Sequence, residues 1–202
     1  MKYTMVPTDT FKHLVLNAGI LAKNFTPSTG EIAASDIIGA TGDGVTFNAS
    51  VEYLDFADGI DNMPKNVAEL KRIDTIDAKM TGTFKTITSS LAAQLIGAAD
   101  VTSESGNVKK ITPRMNLKDA DFQDIWFIGD YSDVNEDGSS SGKAGFIAIH
   151  LIKALSTGGF QLKSANKDKG SFPFEYTGHY SNATPNVVPY EVYLAEGTED
   201  AA

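Results

Sequence analysis

Hydrophobic and polar residues alternate along much of this chain, with a period of two. Val45, Phe47, Ala49, Val51 and Tyr53 fall on one side of a run whose other side carries Thr46, Asn48, Ser50, Glu52 and Leu54. A second run repeats the arrangement, with Ile76, Ala78, Met80, Gly82 and Phe84 set against Thr75, Asp77, Lys79, Thr81, Thr83 and Lys85. Successive side chains of a strand point to opposite faces, so each run predicts an antiparallel strand with one buried and one wet face. Roughly ten residues at ~3.3 Å apiece reach about 30 Å, well past the usual strand of about five or six residues. Leu14, Leu16, Ala18, Ile20 and Ala22 predict an earlier strand of the same kind.

Between the two long strands lies Asp55 to Leu70, which holds Asp58-Gly59 and Asn62-Met63-Pro64-Lys65-Asn66. Turn residues dominate it, and Pro64 has no N–H to give a ladder. A loop this long between regular strands is uncommon without a task. One helix is predicted, capped by Thr88, Ser89 or Ser90, with Leu91, Leu95 and Ile96 on its apolar face and Gly97 near its end. After a polar turn at Ser103 to Asn107 come further predicted strands: Val108–Thr112, Phe122–Ile128, Gly145–Lys153, Phe160–Leu162, Phe172–Tyr180 and Val188–Leu194. Gly145–Lys153 is apolar on both faces, which fits a strand covered on both sides or one pairing with a partner. The tail, Glu196 to Ala202, is polar and expected to fray. With no internal repeat or linker, residues 1–202 read as one mainly β domain. The expected architecture is a β-sandwich or partial barrel of antiparallel strands with one flanking α-helix.

Composition narrows the possibilities. Hydrophobic residues at 42% and charged residues at 21% describe an ordinary soluble globular chain. No apolar run approaches the ~18–20 residues needed to span a bilayer. Leu14 to Ala22 is short, interrupted by Asn17, and lacks the charged start and cleavage site of a signal peptide. The absence of cysteine excludes disulfide scaffolds and thiol nucleophiles. His13, His150 and His179 stand too far apart for an HExxH metal motif. The net charge of −9 is spread evenly, and the longest basic runs are the pairs Lys71-Arg72 and Lys109-Lys110. Such a chain should repel DNA rather than grip it.

Motifs for chemistry are weak. Asp133 to Gly138 matches the opening of a calcium loop, but its twelfth position is Ala144, so a solvated hairpin turn is the expectation. Gly138 to Ala144 has the wrong spacing for a phosphate loop and no Ser or Thr for magnesium. Gly39 to Gly44 reads as a turn. There is no G-x-S-x-G elbow. His150 reads as a satisfied core or interface histidine, and Trp126 as core packing. The neighbouring acids Asp119, Asp121 and Asp124 say nothing of geometry. No enzyme and no cofactor are predicted.

Several stretches, taken in order, carry a resemblance. They are Gly39–Phe47 (GATGDGVTF), Asp58–Arg72 (DGIDNMPKNVAELKR), Met80–Thr86 (MTGTFKT) and Leu95–Asp100 (LIGAAD). Thr112–Asp133, Gly145–Phe160 and His179-Tyr180-Ser181 complete the set. Together they resemble the major tail tube proteins of long-tailed bacteriophages, in a branch from phages and prophages of Gram-positive bacteria. The resemblance implies a structural virion protein, made in the host cytoplasm and located in the virion tail. Its copies form hexameric rings that stack into a hollow tube conducting DNA into the host. The implied partners are further copies of itself and the tail initiator, tape-measure and terminator proteins. DNA is met only in transit, and no membrane or cofactor is involved.

Within that frame Asp58, Gly59, Ile60, Asp61, Asn62, Met63, Pro64, Lys65 and Asn66 are expected to reach a neighbouring subunit or ring and to take shape only there. Thr46, Asn48, Ser50, Glu52, Thr75, Asp77, Lys79, Thr81 and Thr83, with Lys85, are the expected lumen face. The residues agree on two points: long unpaired strand edges call for neighbours, and an acidic wall would let phosphates slide. The alternative class is a β-sandwich module binding carbohydrate or a cell surface, with Trp126, Tyr131 and Tyr180 as stacking rings.

Overall fold

The computed structural model describes Thr10 and residues 14–131 and 145–195. The Asp133–Gly138 and Gly138–Ala144 motifs, His13 and the 196–202 tail lie outside the described residues. The strands are β1 (Val15–Ala22), β2 (Thr41–Asp55), β3 (Lys71–Phe84), β4 (Ala99–Ser103), β5 (Lys109–Pro113), β6 (Gln123–Tyr131), β7 (Phe146–Ser156), β8 (Phe172–Thr177) and β9 (Tyr190–Ala195). The helix α1 spans Ser89–Ile96. Seven strands form one curled antiparallel sheet in the order β1-β6-β7-β8-β3-β2, with β9 also on β7, and β4–β5 stand apart as a ribbon. The result is a mainly β half-barrel with a single α-helix. No helix among the described residues is long and apolar enough to cross a membrane.

The curl has a local cause in β7. Phe146 to Leu151 pair with β9, whereas Leu155 and Ser156 pair with β8. Between them Lys153 takes a left-handed φ of 47°, and the register with β6 shifts between Gln123 and Ile125. The kinked amide is still satisfied, since Lys153 N–H donates to Asp124 Oδ1 at 3.0 Å. The chain leaving β1 closes one flank. Ile38 N–H donates to Leu21 O at 2.9 Å, and Lys85 N–H to Ala40 O at 2.8 Å.

Both faces of the β6–β7 pair are covered. On one, Ile125, Ile149 and Leu151 join Leu21, Met80, Phe84, Leu95 and Tyr176 in the main core. On the other, Trp126, Ile128 and Ala148 pack with Ala22 and Phe25, and Ile32 lies against them. Gly145–Lys153 is therefore apolar on both sides because both sides are packed.

The helix forms where its caps predict. Thr88 Oγ1 accepts Leu91 N–H at 3.2 Å, and Gly97 ends the helix at a φ of 90° that disfavours a side chain. Leu91, Ala92 and Leu95 are its buried residues, whereas Ile96 is only half-buried. Ser156 Oγ donates to Leu95 O at 2.8 Å and seats the helix on the end of β7.

Four expectations are corrected. In β1 a bulge falls between Leu16 and Ile20, where Gly19 has a φ of 67° and a Cβ would run into the Phe127 ring. The expected single buried face is not formed: Leu14, Leu16 and Ile20 are exposed, and burial is confined to the end of the strand, where Leu21 and Ala22 pack on opposite faces. Gly39 to Gly44 is no turn, because Thr41–Gly44 belong to β2, with a bulge built on the positive φ of Asp43 and Gly44. Phe160–Leu162 is not a strand. It follows Gly158 and Gly159, and Phe160 leans on Phe172 instead of joining a ladder. The predicted Phe172–Tyr180 strand stops at Thr177, because Gly178 N–H turns to Ala78 O at 2.9 Å.

Candidate functional site

The register of β2 on β3 sets Thr46 opposite Thr81, Asn48 opposite Lys79 and Ser50 opposite Asp77. Residues directly opposite share a face, so the two predicted polar rows merge into one. Thr75 Oγ1 donates to Glu52 Oε2 at 3.4 Å and carries the face past the bulge after Val51. Thr83, opposite Gly42, continues it the other way. On the far side of β3, Glu175 of β8 stands opposite Thr81, and Thr177 opposite Lys79. Thr157 Oγ1 donates to Glu175 Oε1 at 2.9 Å and lies 2.8 Å from Thr177 Oγ1. The face is thus three strands wide. Glu175, Thr177 and Thr157 escaped the sequence reading, although the alternation of Phe172, Phe174 and Tyr176 with Pro173, Glu175 and Thr177 carried the signal.

Its lysines are matched within the chain. Lys79 Nζ lies 3.2 Å from Asp77 Oδ2, and Lys85 Nζ lies 3.9 Å from Asp43 Oδ2. Glu52 and Glu175 are left to hydroxyl partners, so the face carries carboxylate in excess and no lysine without a neighbouring acid.

The β2–β3 hairpin runs on beyond the core. Tyr53 and Ile73, opposite each other, are 55% and 58% exposed. Lys71 Nζ sits 5.0 Å from the Tyr53 ring centroid. Beyond them, every residue from Asp58 to Asn66 is exposed. The foot of this loop is organised by its own chain. Asp55 accepts Asn66 N–H at 2.9 Å and Ala57 N–H at 3.0 Å, and Phe56 N–H reaches Leu70 O at 3.2 Å. That frame fixes the two ends of the segment against each other within the chain. The Asn66 amide, then that of Ala57, holds the Asp55 carboxyl below its ordinary pKa. Along its other edge β2 has no strand partner among the described residues.

The residues weighed for chemistry pack and pair within the chain, although His150 Nε2, expected to be satisfied, is buried without a hydrogen bond. The His150 ring stacks on Trp126 with centroids 4.0 Å apart and an interplanar angle of 4°. Its Nδ1 lies 3.4 Å from Glu191 Oε2, while Asp124 Oδ2 is 3.2 Å from Nε2 without hydrogen-bond alignment. Tyr193 Oη donates to Glu191 at 2.6 Å, the main reason the Glu191 carboxyl sits below its ordinary pKa. Asp121 meets Arg114 Nη2 at 2.6 Å and accepts Lys118 N–H at 2.8 Å. Burial pushes its pKa up, but these donors outweigh burial and leave it lowered. Among the described residues, no three His, Asp or Glu side chains converge as a metal site would need.

The three proposed stacking rings do not gather. Trp126 is 8% exposed and packs on Phe25, His150 and Tyr193. The Tyr180 hydroxyl is tied to the Ile76 backbone, accepting its N–H at 3.0 Å and facing its carbonyl at 3.3 Å. Tyr131 ends β6, where its N–H donates to Gly145 O at 2.9 Å.

No protein-family model matches this chain, and no curated protein matches it.

Proposed function

We propose that this protein is a self-assembling structural subunit of a bacteriophage tail tube, whose stacked rings conduct DNA through a polar bore. The observation that carries the reading is the three-strand polar face on β2, β3 and β8, with both of its lysines matched by acids of their own chain. A wall of short hydroxyl and amide groups stays wet, and ammoniums already paired offer phosphates little. The 15-residue strand β2 adds support, because an edge with no ladder partner among the described residues invites a second chain. A ring in which each copy meets the next head to tail would cover it.

Electron microscopy of the purified protein, across a wide concentration range and with its tail initiator, tests the reading. Rings or tubes of uniform width are expected, and a species that stays monomeric throughout rejects it. The bore assignment has its own test. Glu52→Lys with Asp77→Lys should leave tubes intact and slow genome ejection, the defect easing as salt rises. Ejection at the wild-type rate from virions carrying both changes would turn this face outward.

A further inference from the structure

The outer face of β1, β6 and β7 carries an open cleft with a single charge in it. Residues in register share a face, so Leu16, Asp130 and Phe146 form one row across the three strands, and Ile20, Ile128 and Ala148 form the next. Ile125, Ile149 and Leu151 point the other way, into the main core with Met80 and Tyr176. The two rows therefore lie across the core from the polar face of β2, β3 and β8. The chain between β1 and β2 passes over them, and Phe25 meets Phe146 edge to face with centroids 5.2 Å apart. Between that chain and the sheet is a cleft of about 550 Å³, within the size range of ligand sites. Ile20, Phe25, Ile32, Ile128 and Phe146 give it apolar walls, and Asp130 is the one charged residue lining it. The Asp130 carboxylate enters no hydrogen bond or ion pair among the described residues. Leu16 and Ile20 beside it are 40% and 36% exposed.

We propose that this cleft holds a lysine or arginine side chain presented by an extended apolar segment of another protein. Covering Leu16, Ile20 and Phe146 removes apolar area from water, which favours an apolar partner. The same step strips Asp130 of its water, and a carboxylate buried without a counter-charge is costly. The occupant must therefore bring a cation, on a stem that Phe25 and Phe146 cover while its head meets the carboxylate. Lysine and arginine have that form. A small free amine would fill the cleft and leave Leu16 and Ile20 wet, whereas apolar residues on either side of the cation cover them. The backbone of such a segment also has a place to pair. Between Val15 and Ile20, β1 has no strand partner on the side away from β6 among the described residues. The inference stands apart from the tube reading. In a tube with the polar face inward, the cleft opens on the outer wall.

Fluorescence anisotropy of dye-labelled peptides on the full chain tests the site. The peptide acetyl-Val-Leu-Arg-Leu-Val-amide should bind about tenfold or more tightly than its counterpart with Gln in place of Arg. Asp130→Asn should bring the two peptides to about equal strength, and Leu16→Asn should weaken both. Glu104→Gln, the same change of charge outside the cleft, should alter neither, which separates the site from a general attraction of basic peptides to an acidic chain. Circular dichroism confirms that each variant is folded. Equal binding of the two peptides, or an Asp130→Asn chain that still tells them apart, overturns the site. So does an Arg peptide that fails to bind up to about 1 mM. Hexylammonium that displaces the Arg peptide as well as unlabelled peptide does would give the cleft to free amines and overturn the protein partner. An Arg peptide that binds dispersed chains but not tubes would give the cleft to a neighbouring copy, and overturn it likewise. Tubes that bind neither peptide would keep the tube reading and discard the cleft. Selective binding by a chain that never assembles would keep the cleft and discard the tube.

Discussion

The β6–β7 and β2–β3 strand pairs stand in opposite relations to solvent. Strand β7 pairs with three strands and is packed on both faces, with Ala148, Leu151 and Ala154 almost wholly inaccessible. Strand β3 is packed on one face only from Ala78 to Phe84, and from Lys71 to Thr75 it is exposed on both. The first hairpin therefore answers to the core and has little freedom to vary. The second is free of the core over its outer third, where Tyr53, Ile73 and Phe56 stand exposed. In the proposed tube, side chains of that kind would serve contacts between copies.

The largest expected effect separates the two hairpins directly. Leu151→Ala should cost near the top of the ~2–5 kcal/mol range for a buried leucine. Ile73→Ala on the outer hairpin should stay within about 0.5 kcal/mol. Denaturant midpoints measure both, and equal losses would erase the distinction. Leu95→Ala under the helix comes next, at about 2–5 kcal/mol, and towards the lower end because a short helix can settle into the space. A loss under ~1 kcal/mol would make α1 peripheral.

Tyr176, at the seam where β8 joins β7 to β3, gives a smaller effect of opposite sign. Its hydroxyl is buried with no hydrogen-bond partner, and burial pushes its pKa up. Tyr176→Phe removes an unsatisfied polar atom and should stabilise the protein by about 1 kcal/mol, read from thermal or denaturant unfolding. The smallest effect is confined to the tip. Because the folded Asp55 carboxyl titrates below the ordinary 3.8, its hold on the loop is full above that pH and is lost as pH falls through the lower folded value. Amide protection factors at Ala57 and Asn66 should fall over that acid range while those in β7 hold. Asp55→Asn should abolish the pH dependence.

Much of this architecture was legible because it is local. The alternation around Phe47 and Met80 announced β2 and β3, and Thr88 with Gly97 marked the helix. What stayed hidden depends on partners far along the chain. Nothing near Glu175 says that it will stand opposite Thr81, and nothing near Lys153 announces a left-handed kink, which the carboxylate of Asp124 compensates from another strand. The bulge at Gly19 sets four residues of β1 against two of β6, and nothing near Gly19 announces that Phe127 will close over it. Strand β4 was missed because Ala99 to Ser103 is short and its alternation is weak. The polar face was legible row by row, and its width was not. The loop from Asp58 to Asn66 was recognisable by its turn residues, whereas the clamp at its foot needed Asp55 and Asn66 to be seen together.

The strand order has a consequence for how the chain is made. The β2–β3 hairpin closes on itself early, but Phe172, which covers Phe84, follows it by 88 residues. At about 5–20 residues per second of synthesis, the hairpin waits roughly 5–20 s for β8. During that interval Met80 and Phe84 face water on a long strand pair, the kind of nascent intermediate that aggregates on crowded ribosomes. Lys79 and Lys85 flank those apolar positions, and charges so placed hinder edge-to-edge pairing of neighbouring hairpins. The side chains that keep the finished face wet also keep two half-made chains apart.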